Sequence, residues 1–362
     1  MRKTVIYLVI LAIVAFGVYY FLFNNNNSGN QYPESEAGFT VKDTASIGKL
    51  FLVETGGEGV LAERTDSGWM VNKKFRALPS TLNSILETIA QQVPLYPVTK
   101  NAYENVVKNL SSDAVKVEVY GRDGKKMKVF YVGGVAVNNV GTNMMMEGAK
   151  TPYVVHVPGF NGYLTPRFTT KIRDWRDRTV FNIPAEEIKS VSLQYADKPM
   201  NSFVISRENG TITVKGDPSI TQHLDGLNMR KANIYLKYFT NVNCEGYLNG
   251  LSDMDTTIKT APKQSTLDIE TIHGRHEHID IYWMAVNRRS KNATVANPDV
   301  PDDYDADRLY AVINNNRDTV MIQHYIFRKI FRKAFEFYQN DGPAAPPQSN
   351  ELPKNVMMHR NK

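Results

Sequence analysis

The order of predicted strands and helices is repeated along this chain, and the repeat constrains the fold more than any other feature. Residues 47–53 and 188–194 both alternate between apolar and polar side chains, which predicts strands, and a predicted hairpin follows each of them. The later hairpin turns at Asn209-Gly210, which is a strong hairpin signal. The repeat predicts two domains of the same fold.

Helical spacing follows the hairpin in both copies. In the first copy, apolar residues recur every three or four positions from Pro79, which predicts an amphipathic helix that ends before Pro94. The second copy has a weaker pattern of the same kind from Pro218. Paired strands come next in both copies, and matching their turns pairs Gly121 with Gly274.

A short strand and a helix rich in aromatic residues and arginine close each copy. The short strands are predicted at residues 153–157 and 309–313, and the closing helices around residues 168–175 and 325–338. Two copies of β-β-α-β-β-β-α predict an α+β fold with two similar domains, each a mostly antiparallel sheet packed by helices.

The domain boundaries follow from the repeat and from composition. We expect the first α+β repeat domain at residues 40–183 and the second at residues 184–340. Residues 24–39 have no apolar period and are interpreted as a flexible linker. Residues 341–362 are polar and rich in proline, which predicts a disordered tail.

One N-terminal transmembrane helix is predicted before these domains, at residues 1–23. Residues 5–23 contain no charge, and a helix of this length spans about 28 Å, close to the hydrocarbon thickness of a bilayer. Arg2 and Lys3 precede the apolar residues, so the positive-inside rule keeps the N-terminus in the cytoplasm and places the body outside it. The run ends in aromatic residues instead of the small residues of a cleavage site, which favours an uncleaved signal anchor.

Composition excludes several classes of site. The chain has a single cysteine, Cys244, so it forms no intramolecular disulfide and no cysteine-based zinc or iron–sulfur site. The net charge of +6 is carried by scattered basic residues without an aromatic-interleaved strip, which argues against nucleic-acid binding. No serine nucleophile elbow or zinc-binding helix motif is present, and Gly133-Gly134 is interpreted as a hairpin turn and not as a phosphate loop.

Four short motifs resemble a known bacterial family. They are a Gly-Trp-Met-Val hairpin at residues 68–71, Val-Gly-Gly at 132–134, Pro-Tyr-Val-Val at 152–155 and Trp-Arg-Asp-Arg-x-Val-Phe at 175–181. Together with the repeat and the anchor, they look like the family classified only as domain of unknown function 4340. The resemblance implies a tandem α+β fold. It also implies a role beside ABC-type transport systems of Gram-negative bacteria, including gliding-motility systems, because domains of this family resemble parts of their auxiliary proteins.

Three histidines form the densest group of potential metal ligands. His276 and His278 lie two positions apart on a predicted strand, so both side chains point to the same side, and His273 lies near the hairpin tip. No partner carboxylate is placed by a recognised spacing, which favours a solvated turn over a metal site.

Three aspartates resemble the opening of a calcium-binding loop. These residues are Asp303, Asp305 and Asp307, but Arg308 stands where the sharp turn of such a loop requires glycine. The sequence therefore argues against calcium binding here.

Two other segments are candidates for interaction. Met144, Met145 and Met146 are predicted in a loop between two strands, where thioether side chains would form an adaptable binding surface, or else fill the core. In the closing helix of the second copy, a basic quartet lies opposite an apolar stripe, which is typical of a membrane-surface helix. The alternative is that this helix covers the sheet, and it is favoured because the matching helix of the first copy carries charges of mixed sign. The basic quartet consists of Arg328, Lys329, Arg332 and Lys333.

These observations predict a non-enzymatic protein anchored in the inner membrane by a single helix, with its body in the periplasm. We expect a binding or scaffold role as an accessory subunit of an envelope transport or assembly system, with a membrane or periplasmic protein as partner. No catalytic residue and no cofactor are predicted. The alternative is a periplasmic hydrolase or metal-dependent enzyme that uses the hairpin of His273, His276 and His278.

Overall fold

The computed structural model describes residues 32–338, except for residues 58, 138, 223, 225, 292–296, 298–299 and 316. The chain divides between Asp177 and Arg178 into two compact units, here called the first and second unit. The predicted junction at Ile183-Pro184 lies inside the second unit, because Phe181 and Ile183 are buried in its core.

Both predicted ends of the chain lie outside the described residues. These are the transmembrane helix at residues 1–23 and the tail at residues 341–362. None of the helices in the described part of the chain combines the length and the apolar character needed to cross a membrane.

The first unit contains nine strands and four α-helices within its described residues. In chain order they are α1 (Glu34–Ala37), β1 (Ile47–Glu54), β2 (Gly59–Thr65), β3 (Gly68–Val71), β4 (Phe75–Arg76), α2 (Pro79–Gln91), β5 (Val93–Pro97), α3 (Lys100–Ser112), β6 (Val115–Gly121), β7 (Lys126–Val135), β8 (Thr142–Met146), β9 (Tyr153–His156) and α4 (Ile172–Trp175). The strands form one antiparallel sheet in the order β4-β3-β2-β1-β6-β7-β8-β9-β5.

Helix α2 covers the core face of the first sheet. Its residues Leu82, Ile85 and Ile89 are buried, as the helical spacing predicts. The helix begins with Pro79 and ends at Gln91, and Val93 then starts strand β5 because a residue before proline disfavours helical dihedral angles.

The second unit has a sheet of eight strands and a separate pair of strands. Its elements are β10 (Thr179–Phe181), β11 (Ile188–Tyr195), β12 (Phe203–Glu208), β13 (Thr211–Gly216), α5 (Pro218–Thr221), α6 (Met229–Leu236), β14 (Val242–Asn243), β15 (Gly246–Tyr247), α7 (Met254–Thr260), β16 (Lys263–Thr271), β17 (His276–Ala285), α8 (Arg288–Lys291), β18 (Tyr304–Ile313), β19 (Asp318–Gln323) and α9 (His324–Phe327). The sheet order is β13-β12-β11-β16-β17-β18-β19-β15, and β10 pairs with β14. Mostly antiparallel sheets with helices confirm the α+β prediction.

The two sheets share one topology. In each, three strands form a meander, which β4 extends in the first sheet, and a connection with helices follows. Four more strands form a second meander beside the first strand, and a strand of the connection, β5 or β15, pairs with the last of them. The predicted repeat of β-β-α-β-β-β-α was therefore too short. It missed β8 in the first unit and β19 in the second, so it matched β9 with β18 where the topology matches β9 with β19.

The turns between paired strands also match differently from the prediction. Gly124 and Gly274 both adopt φ of +78°, and each donates its N–H to the residue three positions earlier, Gly121 or Thr271. Gly274 therefore corresponds to Gly124 and not to Gly121. Gly133 and Gly134 lie on strand β7, so the predicted hairpin turn there is wrong.

The closing helices are shorter than predicted. Residues 168–175 contain the end of a 3₁₀ turn and helix α4, and residues 325–338 contain most of α9 and a later 3₁₀ turn. Phe327, Ile330 and Ala334 are completely buried, so this segment follows the core and does not continue as one helix. The second-copy helix from Pro218 is likewise divided into α5 and α6.

Candidate functional site

The histidine hairpin forms an ionic cluster on strands β16 and β17. His278 Nδ1 lies 2.6 Å from Asp268 Oδ1, and His276 Nε2 lies 3.8 Å from the same oxygen. His276 and His278 thus share one side of the strand, as predicted, and His273 is exposed in the turn. Sequence reasoning missed Asp268, which is the cross-strand partner of His278.

Charges within this cluster compensate each other. The hydrogen bond with Asp268 raises the pKa of His278 above its usual value, although partial burial acts in the opposite direction. Burial opposes ionisation of Asp280, but hydrogen bonds from Lys263 and Thr266 outweigh it and lower the pKa of this carboxyl. In the described part of the chain, no group of three or more histidine, cysteine, aspartate or glutamate side chains is arranged to hold a metal ion.

The aspartates that resemble a calcium loop have a structural role. Asp305 is completely buried at the start of β18 and accepts backbone hydrogen bonds from Asp307 and Arg308, at 2.9 and 3.1 Å. Arg289 Nη2 lies 3.3 Å from Asp305 Oδ2. The Asp305 carboxylate is therefore fixed by an ion pair with Arg289 and by hydrogen bonds from backbone N–H groups of its own strand.

The three methionines lie on strand β8, so the predicted loop is wrong. Met144 and Met146 point into the core of the first unit and are buried, whereas Met145 lies half-buried on the other side of the sheet. The alternative that these methionines fill the core is confirmed for Met144 and Met146. Their alternation follows directly from the period of two in a strand.

The basic quartet Arg328, Lys329, Arg332 and Lys333 lines a cleft of about 900 Å³ in the second unit, here called the basic cleft. Lys198 is a fifth cation on its wall, and the acidic side chains of the wall are Asp197, Asp307 and Glu336. Its aromatic residues are Tyr195, Tyr238, Trp283, His324, Tyr325 and Phe331. The interpretation that this segment covers the sheet is confirmed, because the apolar stripe behind the quartet is packed in the core. The quartet itself lies on a concave surface.

Aromatic rings support the cations at the rim of the basic cleft. The Arg328 guanidinium lies 4.8 Å from the centre of the Tyr325 ring, and Lys329 Nζ lies 5.7 Å from that of Tyr238. Arg332 is held differently, since its Nη1 lies 3.1 Å from a carboxylate oxygen of Glu336. Tyr325 is 68% exposed, so its ring is available to a ligand.

The buried residues of the lining are here called the floor of the basic cleft, and they are Gln264, Trp283 and His324. Gln264, at the start of β16, is 6% exposed, and its Oε1 accepts a hydrogen bond from Ser265. Trp283 stacks on Tyr304 with ring centres 5.2 Å apart and on His324 at 6.0 Å. The floor therefore combines one amide side chain with two stacked rings.

Sequence reasoning found only one side of this cleft. Lys198 directly precedes a 3₁₀ turn, and Gln264 and Trp283 lie on two different strands. No local pattern marks these three residues as neighbours. The available signal was the repeat itself, because it places the start of β16 beside the end of β11, and the end of β17 beside the start of β16.

Comparison with known proteins identifies the family. The family model described as Domain of unknown function (DUF4340) matches residues 73–268, which is more than half of the chain. The chain belongs to the DUF4340 family. No curated protein and no solved structure matches it. The DUF4340 match includes Lys198 and Gln264 of the basic cleft and ends before the basic quartet.

Proposed function

We propose that this chain is a non-enzymatic binding protein, anchored in the inner membrane, that acts in the periplasm as an accessory subunit of an envelope transport or assembly system. The observation that carries the binding role is the basic cleft, whose volume of about 900 Å³ lies in the range of ligand sites. Its mixture of arginine, tyrosine and tryptophan is the composition enriched at binding hot spots.

The cellular setting in this proposal is supported by the sequence. Residues 5–23 are long and apolar enough to cross a bilayer, and the positive charges of Arg2 and Lys3 favour export of the body. The motifs shared with the DUF4340 family, whose domains resemble parts of transport auxiliary proteins, support the accessory role.

Affinity purification of the tagged full chain from detergent-solubilised membranes tests this function. We expect one partner to be recovered in fixed proportion to the chain, and we expect protease added to spheroplasts to degrade the body. Recovery of the intact chain in a salt-washed cytosolic extract, or recovery without any stoichiometric partner, would contradict the proposal.

A catalytic role for the histidine hairpin is the competing hypothesis. The observation in its favour is the contact between His278 and Asp268, because a carboxylate orients the imidazole in many general bases and metal sites. The double substitution His276→Ala and His278→Ala tests it by the metal content of the purified chain. A loss of stoichiometric zinc in the variant would replace the binding role with a metal-dependent one.

A further inference from the structure

We infer that the basic cleft of the second unit binds an acidic, aromatic-containing segment of a partner polypeptide. This inference rests on the proposed binding function and names the site and the chemistry of its ligand. Three observations carry it: the charge of the rim, a hydrogen-bond donor on the floor and the aromatic rings beside the cations.

The rim carries an excess of positive charge. Five lysine and arginine side chains face three carboxylates in the lining. Arg332 is paired with Glu336, whereas Lys198, Arg328 and Lys329 have no carboxylate within ion-pair distance among the described residues. Cations gathered in a concavity focus their field and attract an anionic ligand.

Gln264 supplies a donor on the floor of the basic cleft. Its side chain is more than nine-tenths buried and lines the cleft, and its carbonyl oxygen is occupied by Ser265. Its amide nitrogen donates to no other described residue. The nitrogen is not among the fully buried atoms without a partner, so it keeps accessible surface. A ligand carbonyl or carboxylate in the cleft can therefore accept a hydrogen bond from it.

The rings beside the cations favour a peptide over a small anion. Tyr325 is exposed beside Arg328, and Tyr238 is half-buried beside Lys329. A phosphate or a free carboxylate would leave these rings and most of the 900 Å³ unused. An extended segment that alternates acidic and aromatic side chains contacts the cations, the rings and the amide of Gln264 together.

Fluorescence anisotropy with the detergent-solubilised full chain tests the ligand class. The probe is a fluorescein-labelled dodecapeptide of alternating glutamate and tyrosine, and the matched control peptide has glutamine in place of glutamate. We expect the acidic peptide to bind at least tenfold more tightly. Equal binding of the two peptides would overturn the inference, as would tighter binding of hyaluronate or of vesicles rich in anionic phospholipid.

Charge reversal locates the binding. We expect the variant R328E/K329E to bind the acidic peptide at least tenfold more weakly than the unmodified chain. The matched control K215E/K259E has the same change of charge at exposed positions of the second unit outside the cleft, and it should bind within twofold of the unmodified chain. Equal weakening in both variants would show a general charge effect and would overturn the site.

The variant Gln264→Leu separates the contribution of the floor to peptide binding from that of the charges at the rim. It removes the donor without a change of charge. We therefore expect the acidic peptide to bind several-fold more weakly and the glutamine peptide to bind with unchanged affinity. Unchanged binding of the acidic peptide would remove Gln264 from the site. Thermal unfolding of each variant, compared with that of K215E/K259E, identifies loss of binding that comes from loss of folding.

Failure of this inference can be told apart from failure of the proposed function. If a stoichiometric partner co-purifies equally with R328E/K329E and with the unmodified chain, the partner does not use the basic cleft, and the binding function stands without this site. If the chain yields no partner at all, the proposed function itself is wrong.

Discussion

The two units share one sheet topology, but the side chains on the outer faces of their sheets differ. Glu118 on β6 and Asp268 on β16 occupy equivalent positions in the two sheets. Glu118 pairs with Phe51 of β1, and Asp268 pairs with Ser192 of β11. Glu118 lies 3.1 Å from Lys116, whereas Asp268 lies 2.6 Å from His278. One sheet therefore neutralises its carboxylate with a lysine and the other with a titratable imidazole.

The helices that connect the two meanders also pack differently on the outer faces of the two sheets. In the first unit, helix α3 packs Val106 and Leu110 into a small apolar cluster on the outer side of the sheet, next to Tyr131 and Met145. Gly133 on β7 permits this approach, because a Cβ there would lie 2.8 Å from Leu110 Cδ2. In the second unit, helix α7 buries none of its residues. The same topology thus supports an apolar outer face in one unit and a polar one in the other.

The largest loss of stability is expected from a substitution in the core of the first unit. Met144 on β8 corresponds in the pairing to Ala311 on β18, and both are buried. We expect Met144→Ala to lower the free energy of unfolding by about 2–5 kcal/mol, because it leaves a cavity in the core of the first unit. Met145→Ala, on the half-buried outer side, should cost about 1 kcal/mol.

Chemical denaturation monitored by hydrogen exchange in β7 and β8 measures both variants. Similar losses for Met144→Ala and Met145→Ala would show that the two sides of the first sheet contribute equally. The core interpretation of the methionines would then be wrong.

The methionines also show where sequence reasoning succeeds and fails. Strands with alternating β-branched residues, such as β6, and the Asn209-Gly210 hairpin were predictable because their signals are local. Strand β8 was missed because three successive methionines have no alternation, and burial distinguishes them only when β7 and β9 lie on either side. Helix α3 was missed because only Val106 and Leu110 are buried among its many polar residues.

The candidate site depends on information that a single sequence does not contain. Pairing of Asp268 with His278 follows from a register that includes an irregularity at Lys263 and Ser265. The basic cleft is assembled from residues that are far apart in the chain. Local spacing identified the basic quartet and favoured burial of the apolar stripe behind it. It predicted one continuous helix, however, and it could not place Lys198, Gln264 and Trp283 beside the quartet.

A smaller effect is expected where the helices meet the outer faces. We expect Leu110→Ala in α3 to lower the free energy of unfolding by about 2 kcal/mol, because it leaves a cavity over Gly133. Ile258→Ala in α7 should cost less than about 1 kcal/mol, since Ile258 is only half-buried. Denaturant titration of both variants measures the difference. If Ile258→Ala costs as much as Leu110→Ala, the contrast between the two outer faces is wrong.

The smallest expected effect is a dependence of stability on pH, and it is specific to the second unit. The contact with Asp268 raises the pKa of His278, so the folded chain binds the proton more tightly than the unfolded chain does. The stabilisation is complete below the unfolded histidine pKa of about 6.5 and is lost as the pH rises through the higher pKa of the folded state. In His278→Gln, we therefore expect a loss of stability that is larger at low pH than at high pH.

Lys116→Gln is the matched control for this pH dependence in the first unit. Hydrogen bonds to Glu147 and Glu118 raise the pKa of Lys116, so this side chain stays protonated throughout the range in which His278 titrates. Thermal unfolding from pH 5.5 to pH 9 should give a constant difference between Lys116→Gln and the unmodified chain. For His278→Gln the difference should shrink with rising pH. A difference for His278→Gln that stays constant would show that folding does not raise the pKa of His278, and both sheets would then respond to pH in the same way. A difference that grows with pH would show that the folded chain prefers the neutral imidazole.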